Sequence, residues 1–164
     1  MKVRELRCAA GRDGITPGRP CMKERLRIVL ASRFLLGYPE GGGHWSAFLQ
    51  HLRGLDALGH DVFWLELYHP NPEGRNDALE RAFGARMDAL GFAGRWAIAV
   101  STRGRSADWD DLDLVGPTAA QVRRAIEGAD LLWNFACAVE PPLLDRFRRR
   151  ALIDGAPGSV PVSG

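Results

Sequence analysis

The chain has 164 residues, a formal net charge of +2 and 26% charged side chains, which is enough for about one domain with its own core. The nearly balanced charge excludes a strongly basic nucleic-acid-binding protein, and no apolar run approaches the roughly 20 residues of a membrane helix. Cys8, Cys21 and Cys137 are odd in number and lack C-x-x-C spacing, so neither a disulfide framework nor a zinc site is indicated. We therefore expect a cytoplasmic protein without a membrane span.

The chain divides into three parts. Residues 1–22 show neither helical nor strand periodicity and are predicted to be a disordered leader, or the product of an upstream start codon. Residues 23–154 hold alternating apolar runs and amphipathic stretches, as expected of one domain. Residues 155–164 combine glycine, proline and serine, which predicts an irregular tail.

The first elements form a strand–helix–strand unit. Residues 27–32 are aliphatic and predict a buried strand, which residues 34–36 either extend or follow as a loop. Residues 37–43 join proline to a glycine cluster and predict a loop. Apolar positions recur at helical spacing over residues 45–58, and residues 61–67 form the second apolar run. A right-handed unit with parallel strands follows from this order.

The same alternation continues to the end of the domain. Strands that are apolar throughout and alternate with helices are typical of a parallel sheet covered on both faces. The expected fold class is therefore α/β, an open, doubly wound, mostly parallel sheet. The further predicted elements are helices at residues 77–90, 118–127 and 140–149, strands at 96–101, 130–136 and 151–153, and surface loops at 68–76 and 102–117.

The glycine cluster that follows the first strand is the most informative segment. Gly41, Gly42, Gly43 and His44 lead into the first helix, and ligands of open α/β sheets bind beyond the carboxyl ends of the strands. Glycines let the backbone approach a ligand, and amides at a helix N-terminus favour an anion such as phosphate. Because imidazole exchanges protons near neutral pH, His44 is a candidate general base. A plain connecting loop with an exposed or capping histidine is the alternative.

A dinucleotide site is a second candidate. Gly41-x-Gly43-x-x-Ser46 approaches the G-x-G-x-x-G/A fingerprint, and Glu66 stands near the end of the second strand, as a ribose-binding acid would. However, the fingerprint needs its first glycine directly after the strand and a small third residue. NAD(P) or nucleotide binding remains an alternative function, as does a non-catalytic α/β binding domain.

The stretch of residues 27–66 resembles the opening of GT-B glycosyltransferases. The shared features are the Gly-Gly-Gly-His loop and the run from Leu52 to Val62, with its helix, glycine stop and buried strand. The resemblance implies the N-terminal, Rossmann-like domain of two that face a cleft. In that family this domain usually carries the acceptor site, which implies a general base at His44 and substrate binding by Gly41, Gly42, Gly43 and Trp45.

The implied reaction transfers a sugar from a nucleotide-sugar donor to an acceptor hydroxyl, without a metal or other cofactor. The donor-binding domain is absent, so we expect the chain to be inactive alone. A second chain would carry the C-terminal half, or the gene would be truncated or frame-shifted after Asp154.

Other chemically suggestive residues have simpler explanations. Asp108-x-Asp110 and Asp111-x-Asp113 match the D-x-D metal motif, but an aspartate-rich solvated loop produces this pattern by chance. The arginines at 146 and 148–150 suit the end of a helix, where they complement its dipole. His51, His60 and His69 are predicted to have no catalytic role. Four of the tryptophans, Trp45, Trp64, Trp96 and Trp133, are predicted to pack in the core, and only Trp109 to be free to stack on a sugar.

Overall fold

The computed structural model describes residues 25–71, 74–101 and 107–154; the predicted leader at 1–22 and tail at 155–164 lie outside these ranges. None of the helices in the described ranges combines the length and apolar character needed to cross a membrane. Six strands and three α-helices form there, with short 3-10 turns at Trp109–Asp111 and Leu143–Arg146. The elements are β1 Arg27–Ser32, α1 Gly43–Ala57, β2 Asp61–Tyr68, α2 Asp77–Ala89, β3 Trp96–Ser101, β4 Leu112–Val115, α3 Ala119–Glu127, β5 Leu131–Phe135 and β6 Arg150–Ile153.

The strands form one sheet in the order β4-β3-β2-β1-β5-β6. All neighbouring strands are parallel except β3 and β4, which are antiparallel. The chain builds outward from β1 through β2 and β3, then returns to place β5 on the other side of β1. The winding therefore reverses between β1 and β5. The predicted α/β class with a mostly parallel sheet is confirmed, and the architecture is consistent with a Rossmann-like fold.

Both faces of the sheet are covered, which explains the continuous apolar runs of the inner strands. In β1, Ile28 and Leu30 point to the face covered by α1 and α2, whereas Val29 and Ala31 point to the face covered by α3. All four side chains are at most 2% exposed. The helices contribute buried side chains to these two layers, namely Trp45, Leu52, Phe83 and Met87 on the first face and Val122 and Ile126 on the second.

The three helices begin differently. The side chain of Asn76 accepts hydrogen bonds from two amides in the first turn of α2. Thr118 and Gln121 form a capping box at the start of α3. By contrast, α1 follows Gly42, and no side chain caps its first turn. The first amides of α1 are thus left without the side-chain acceptor that the other two helices have.

Three predictions of local structure are wrong. Residues 102–117 were expected to be loop, but Leu112–Val115 forms the antiparallel edge strand β4. Residues 140–149 were expected to be helical, but only Leu143–Arg146 turns, because the preceding prolines lack amide donors and Phe147 is extended and buried. Leu58 was placed on the apolar face of α1, but it follows the last helical residue and is 56% exposed.

Candidate functional site

The loop between β1 and α1 depends on its glycines. Gly41 and Gly42 have φ angles of +102° and +93°, which side-chain-bearing residues rarely adopt. A Cβ atom on Gly41 would also lie 2.7 Å from a guanidinium nitrogen of Arg86. No atom lies within 4 Å of the positions where Gly42 and Gly43 would carry a Cβ atom. Gly41 and Gly42 therefore make the backbone turn possible, and Gly42 and Gly43 leave open surface beside His44.

His44 is exposed and lies in the first turn of α1, where its ring is stacked between two aromatic rings. Its centroid is 4.7 Å from that of Tyr38 and 5.7 Å from that of Phe34, with interplanar angles of 17° and 18°. Both rings thus stack with the imidazole, whose edge carries the two nitrogens. Among the described residues, no hydrogen bond to either nitrogen is observed. The arrangement holds the ring while leaving its proton-accepting atoms unused.

Aromatic contacts link His44 to the carboxyl end of β5. Phe48, one turn further along α1, has its centroid 6.0 Å from that of His44 and 4.6 Å from that of Phe135. Phe135 is the last residue of β5, which pairs with β1 across the reversal of winding. Ligands of open α/β sheets bind in the crevice at this reversal. His44 therefore lies at the place in the fold where a ligand is expected.

The turn after β5 lies at the carboxyl end of the strand that pairs with β1. Ala136 and Cys137 have φ angles of +46° and +54°, a left-handed conformation that is strained for residues other than glycine. The buried amide of Asn134 closes the turn by donating to the Val139 carbonyl and accepting from the Val139 amide, both at 2.9 Å. Strained backbone held by its surroundings is common at functional sites. This turn is not predictable from the sequence, because alanine and cysteine do not indicate positive φ.

Trp45 supports the loop from within the protein. Its ring is 2% exposed, and its Nε1 donates to the Tyr38 carbonyl at 2.8 Å. The Arg86 guanidinium lies 4.3 Å from the Trp45 ring and donates to the Pro39 carbonyl at 2.9 Å. The sequence predicts both core packing and substrate binding for Trp45, and the structure shows the core packing. Contact between this ring and an acceptor would need a conformation other than the one observed.

Glu66 is the buried acid of the site. Its carboxylate accepts hydrogen bonds from the amides of Leu35 and Leu36 at 2.7 and 3.1 Å and from Nε1 of Trp64 at 3.1 Å. Complete burial raises the pKa of Glu66 to about 7, although these hydrogen bonds oppose the increase. The carboxylate therefore does not face a ligand as a ribose-binding acid would. A lone acid inside an apolar run was the sequence signal for this internal role.

The aspartate-rich segment does not gather its carboxylates. Asp108 pairs with Arg146 at 3.2 Å and Asp110 with Arg123 at 3.4 Å, while Asp113 pairs with Arg75. The Trp109 amide and Arg146 hold the pKa of Asp108 below its usual range. In the part of the chain that the structure describes, no three His, Cys, Asp or Glu side chains converge as metal ligands.

Trp109 and the other three histidines make their contacts outside the β1–α1 loop. Trp109 is only 8% exposed, so the prediction that it is free to stack on a sugar is wrong. His51 contacts Trp133 and Phe135, with its centroid 5.4 and 5.5 Å from theirs. Nδ1 of His60 accepts from the Leu26 amide at 3.3 Å, and Nδ1 of His69 is buried without a partner among the described residues.

The site thus combines a glycine turn, an exposed histidine held between two rings and a strained turn on the neighbouring strand. His44, Gly41, Gly42 and Gly43 were identified from the sequence, whereas Phe34, Tyr38 and Glu66 acquire their roles only in three dimensions. No model of a protein family matches the chain, and neither a curated protein nor a solved structure is significantly similar to it.

Proposed function

We propose that this chain is the acceptor-side, Rossmann-like half of a GT-B glycosyltransferase, with His44 as the general base. The observation that carries the proposal is the exposed imidazole of His44, held between Tyr38 and Phe34 where the sheet reverses its winding. The resemblance of residues 41–44 to the Gly-Gly-Gly-His loop of that family supports the reaction class. The exposed edge of the imidazole supports the role of His44 as the base.

In the proposed step, an acceptor hydroxyl approaches the edge of the His44 ring. The free ring nitrogen takes the hydroxyl proton as the oxygen attacks the anomeric carbon of the donor sugar. The bond from that carbon to the diphosphate breaks, and the nucleoside diphosphate leaves with the electron pair. General bases contribute about 10²–10⁴-fold to such steps. The open surface at Gly42 and Gly43 leaves room for the acceptor beside the ring.

The donor-binding half is supplied by a second Rossmann-like domain or chain across the cleft. The uncapped first turn of α1 suits this arrangement, because helix N-terminal amides favour the negative charge of a diphosphate. In the proposed complex, this chain binds the acceptor and aligns the base, and the other half grips the nucleotide.

The test combines this chain with a donor-binding half. The locus is read in all three frames through and beyond the codon for Asp154, and any second Rossmann-like half is expressed with the chain. Release of nucleoside diphosphate is then followed with a panel of nucleotide sugars and acceptor alcohols. His44→Ala should lower transfer about 10²–10⁴-fold while leaving the thermal midpoint nearly unchanged.

His51→Ala is the matched control, because His51 is also an exposed histidine of α1 but packs on Trp133 and Phe135. It should change transfer less than twofold. Full turnover by His44→Ala would remove the base assignment. Failure of every combination to release nucleotide, together with thermal stabilisation of the chain by NADH, would favour a dinucleotide-binding domain instead.

A further inference from the structure

Three consecutive amides of the β1–α1 loop are hydrogen-bonded to Ser32 of β1 and Glu66 of β2. The Phe34 amide donates to Oγ of Ser32 at 3.1 Å. The amides of Leu35 and Leu36 donate to the same Oε1 atom of Glu66 at 2.7 and 3.1 Å. A hydrogen bond from Ser32 to the Glu66 carboxylate joins the two anchors. The start of the loop is therefore fastened to one buried acid.

The fastened segment carries both rings that enclose His44. Phe34 is itself one of them, and the other, Tyr38, is placed by a turn in which its amide donates to the Leu35 carbonyl at 3.1 Å. The side chains of Leu35 and Leu36 are at most 3% exposed, which ties the same segment to the core. The spacing of the two rings around His44 thus depends on where Leu35 and Leu36 are held.

We propose that Glu66 is a positioning residue, whose buried carboxylate fixes the segment bearing Phe34 and Tyr38 and so sets the orientation of the His44 ring between them. The use of that orientation in sugar transfer rests on the function proposed above. The positioning itself does not, because it concerns only the free chain.

The chemistry of the pocket explains why a carboxylate stands there. Desolvating an acid is costly, so an apolar residue would be the simpler choice within a buried strand. However, all the groups that face this position are donors: two loop amides, the Trp64 indole and the Ser32 hydroxyl. A carboxylate accepts from all of them, whereas a glutamine that kept its oxygen on the loop amides would turn its own donors toward the Trp64 indole, which cannot accept.

The test compares NMR spectra of the full chain and two variants. In the wild type, Tyr38 and Phe34 should displace the ring-proton signals of His44 upfield. Glu66→Gln should reduce this displacement and also move the Tyr38 ring signals. Glu80→Gln is the matched control, because Glu80 is another acid buried in the same sheet-and-helix layer, at 4% exposure, but pairs with Arg75. It should leave the His44 signals where they are.

Ser32→Ala provides a second variant if Glu66→Gln fails to fold, since it removes the anchor of the Phe34 amide and one donor to the carboxylate. The same loss of upfield displacement is expected. His44 signals that are unchanged in the folded variants would overturn the positioning role. If the signals move but His44→Ala retains full transfer activity, the proposed function fails and the positioning role stands. In an active pair, Glu66→Gln should lower kcat more than it raises KM.

Discussion

Among the described residues two acids are buried, Glu66 on β2 and Glu80 on α2, and their surroundings differ. Glu66 lies beneath the β1–α1 loop and is held by uncharged donors only: Ser32, Leu35, Leu36 and Trp64. Glu80 lies on α2 near the β4 edge of the sheet, where Arg75 binds both of its oxygens at 2.6 and 2.8 Å and also contacts Asp113 of β4. Both carboxylates have every oxygen occupied, but only one of them has a cation.

The two acids differ in whether a cation compensates for their burial. At the outer edge, hydrogen bonds to Glu80 and Asp113 raise the pKa of Arg75 further, so the guanidinium remains charged and ties α2 to the edge strand. At the loop, no cation of the described residues offsets the desolvation of Glu66, and burial raises its pKa to about 7. Shifts of this kind, caused by burial, are common at functional sites. The comparison therefore agrees with the proposal that the loop, rather than the charged edge, is the functional region.

Truncation of the two acids should give the largest difference. Glu66→Ala leaves four donors and a cavity in the core, and should lower the free energy of unfolding by about 3–5 kcal/mol. Glu80→Ala should cost about 1–2 kcal/mol, because Arg75 is 34% exposed and keeps Asp113 as a partner. Urea unfolding of both variants measures this. Equal losses of unfolding free energy would mean that Glu66, held by uncharged donors, contributes no more to stability than the Glu80–Arg75 ion pair.

The pH dependence of stability should distinguish the loop acid next. The folded pKa of Glu66, about 7, lies above its ordinary value of 4.5, so the folded state binds the proton more tightly. The contribution of Glu66 is then most favourable below pH 4.5 and is lost as the pH rises through 7, by up to about 3 kcal/mol. The difference between the urea-unfolding curves of wild type and Glu66→Gln isolates this change, because all other titrating groups are shared. A difference that does not vary with pH would contradict it.

The sequence reveals some parts of the molecule and conceals others for physical reasons. β1 and β3 are predicted to the residue, since each is an apolar run bounded by residues that end a strand. β4 was missed because aspartates surround its short apolar alternation, and an edge strand buries little. His44 is a site candidate from its place after the glycine cluster, and this assignment stays a prediction. The anchoring by Glu66 was not predicted, because it joins residues 30 and 31 positions apart in sequence.

Glycines at the two regions provide the last and smallest contrast. Gly42 in the loop has φ and ψ angles of +93° and −165°, which are essentially confined to glycine, but open space around it, so Gly42→Ala should cost about 1–3 kcal/mol through backbone strain alone. Gly84 in α2 has helical backbone, but a Cβ atom there would lie 2.6 Å from the Trp96 ring, whose Nε1 bonds Asp88. Gly84→Ala should therefore cost about 1–3 kcal/mol through overpacking, less the gain from better helix propensity.

The two glycine variants differ in which signals they disturb. Gly42→Ala should move the NMR signals of His44 and Tyr38, because strain at the start of α1 shifts the loop against its rings. Gly84→Ala should move the Trp96 indole signal and leave His44 unchanged. Gly43→Ala is the control for the loop, since Gly43 lacks a positive φ and has open space, so its effect on stability should be within a few tenths of a kcal/mol. If Gly42→Ala leaves His44 unmoved, the glycine turn holds the backbone path without holding the histidine, and the loop would be less tightly coupled than its hydrogen bonds indicate.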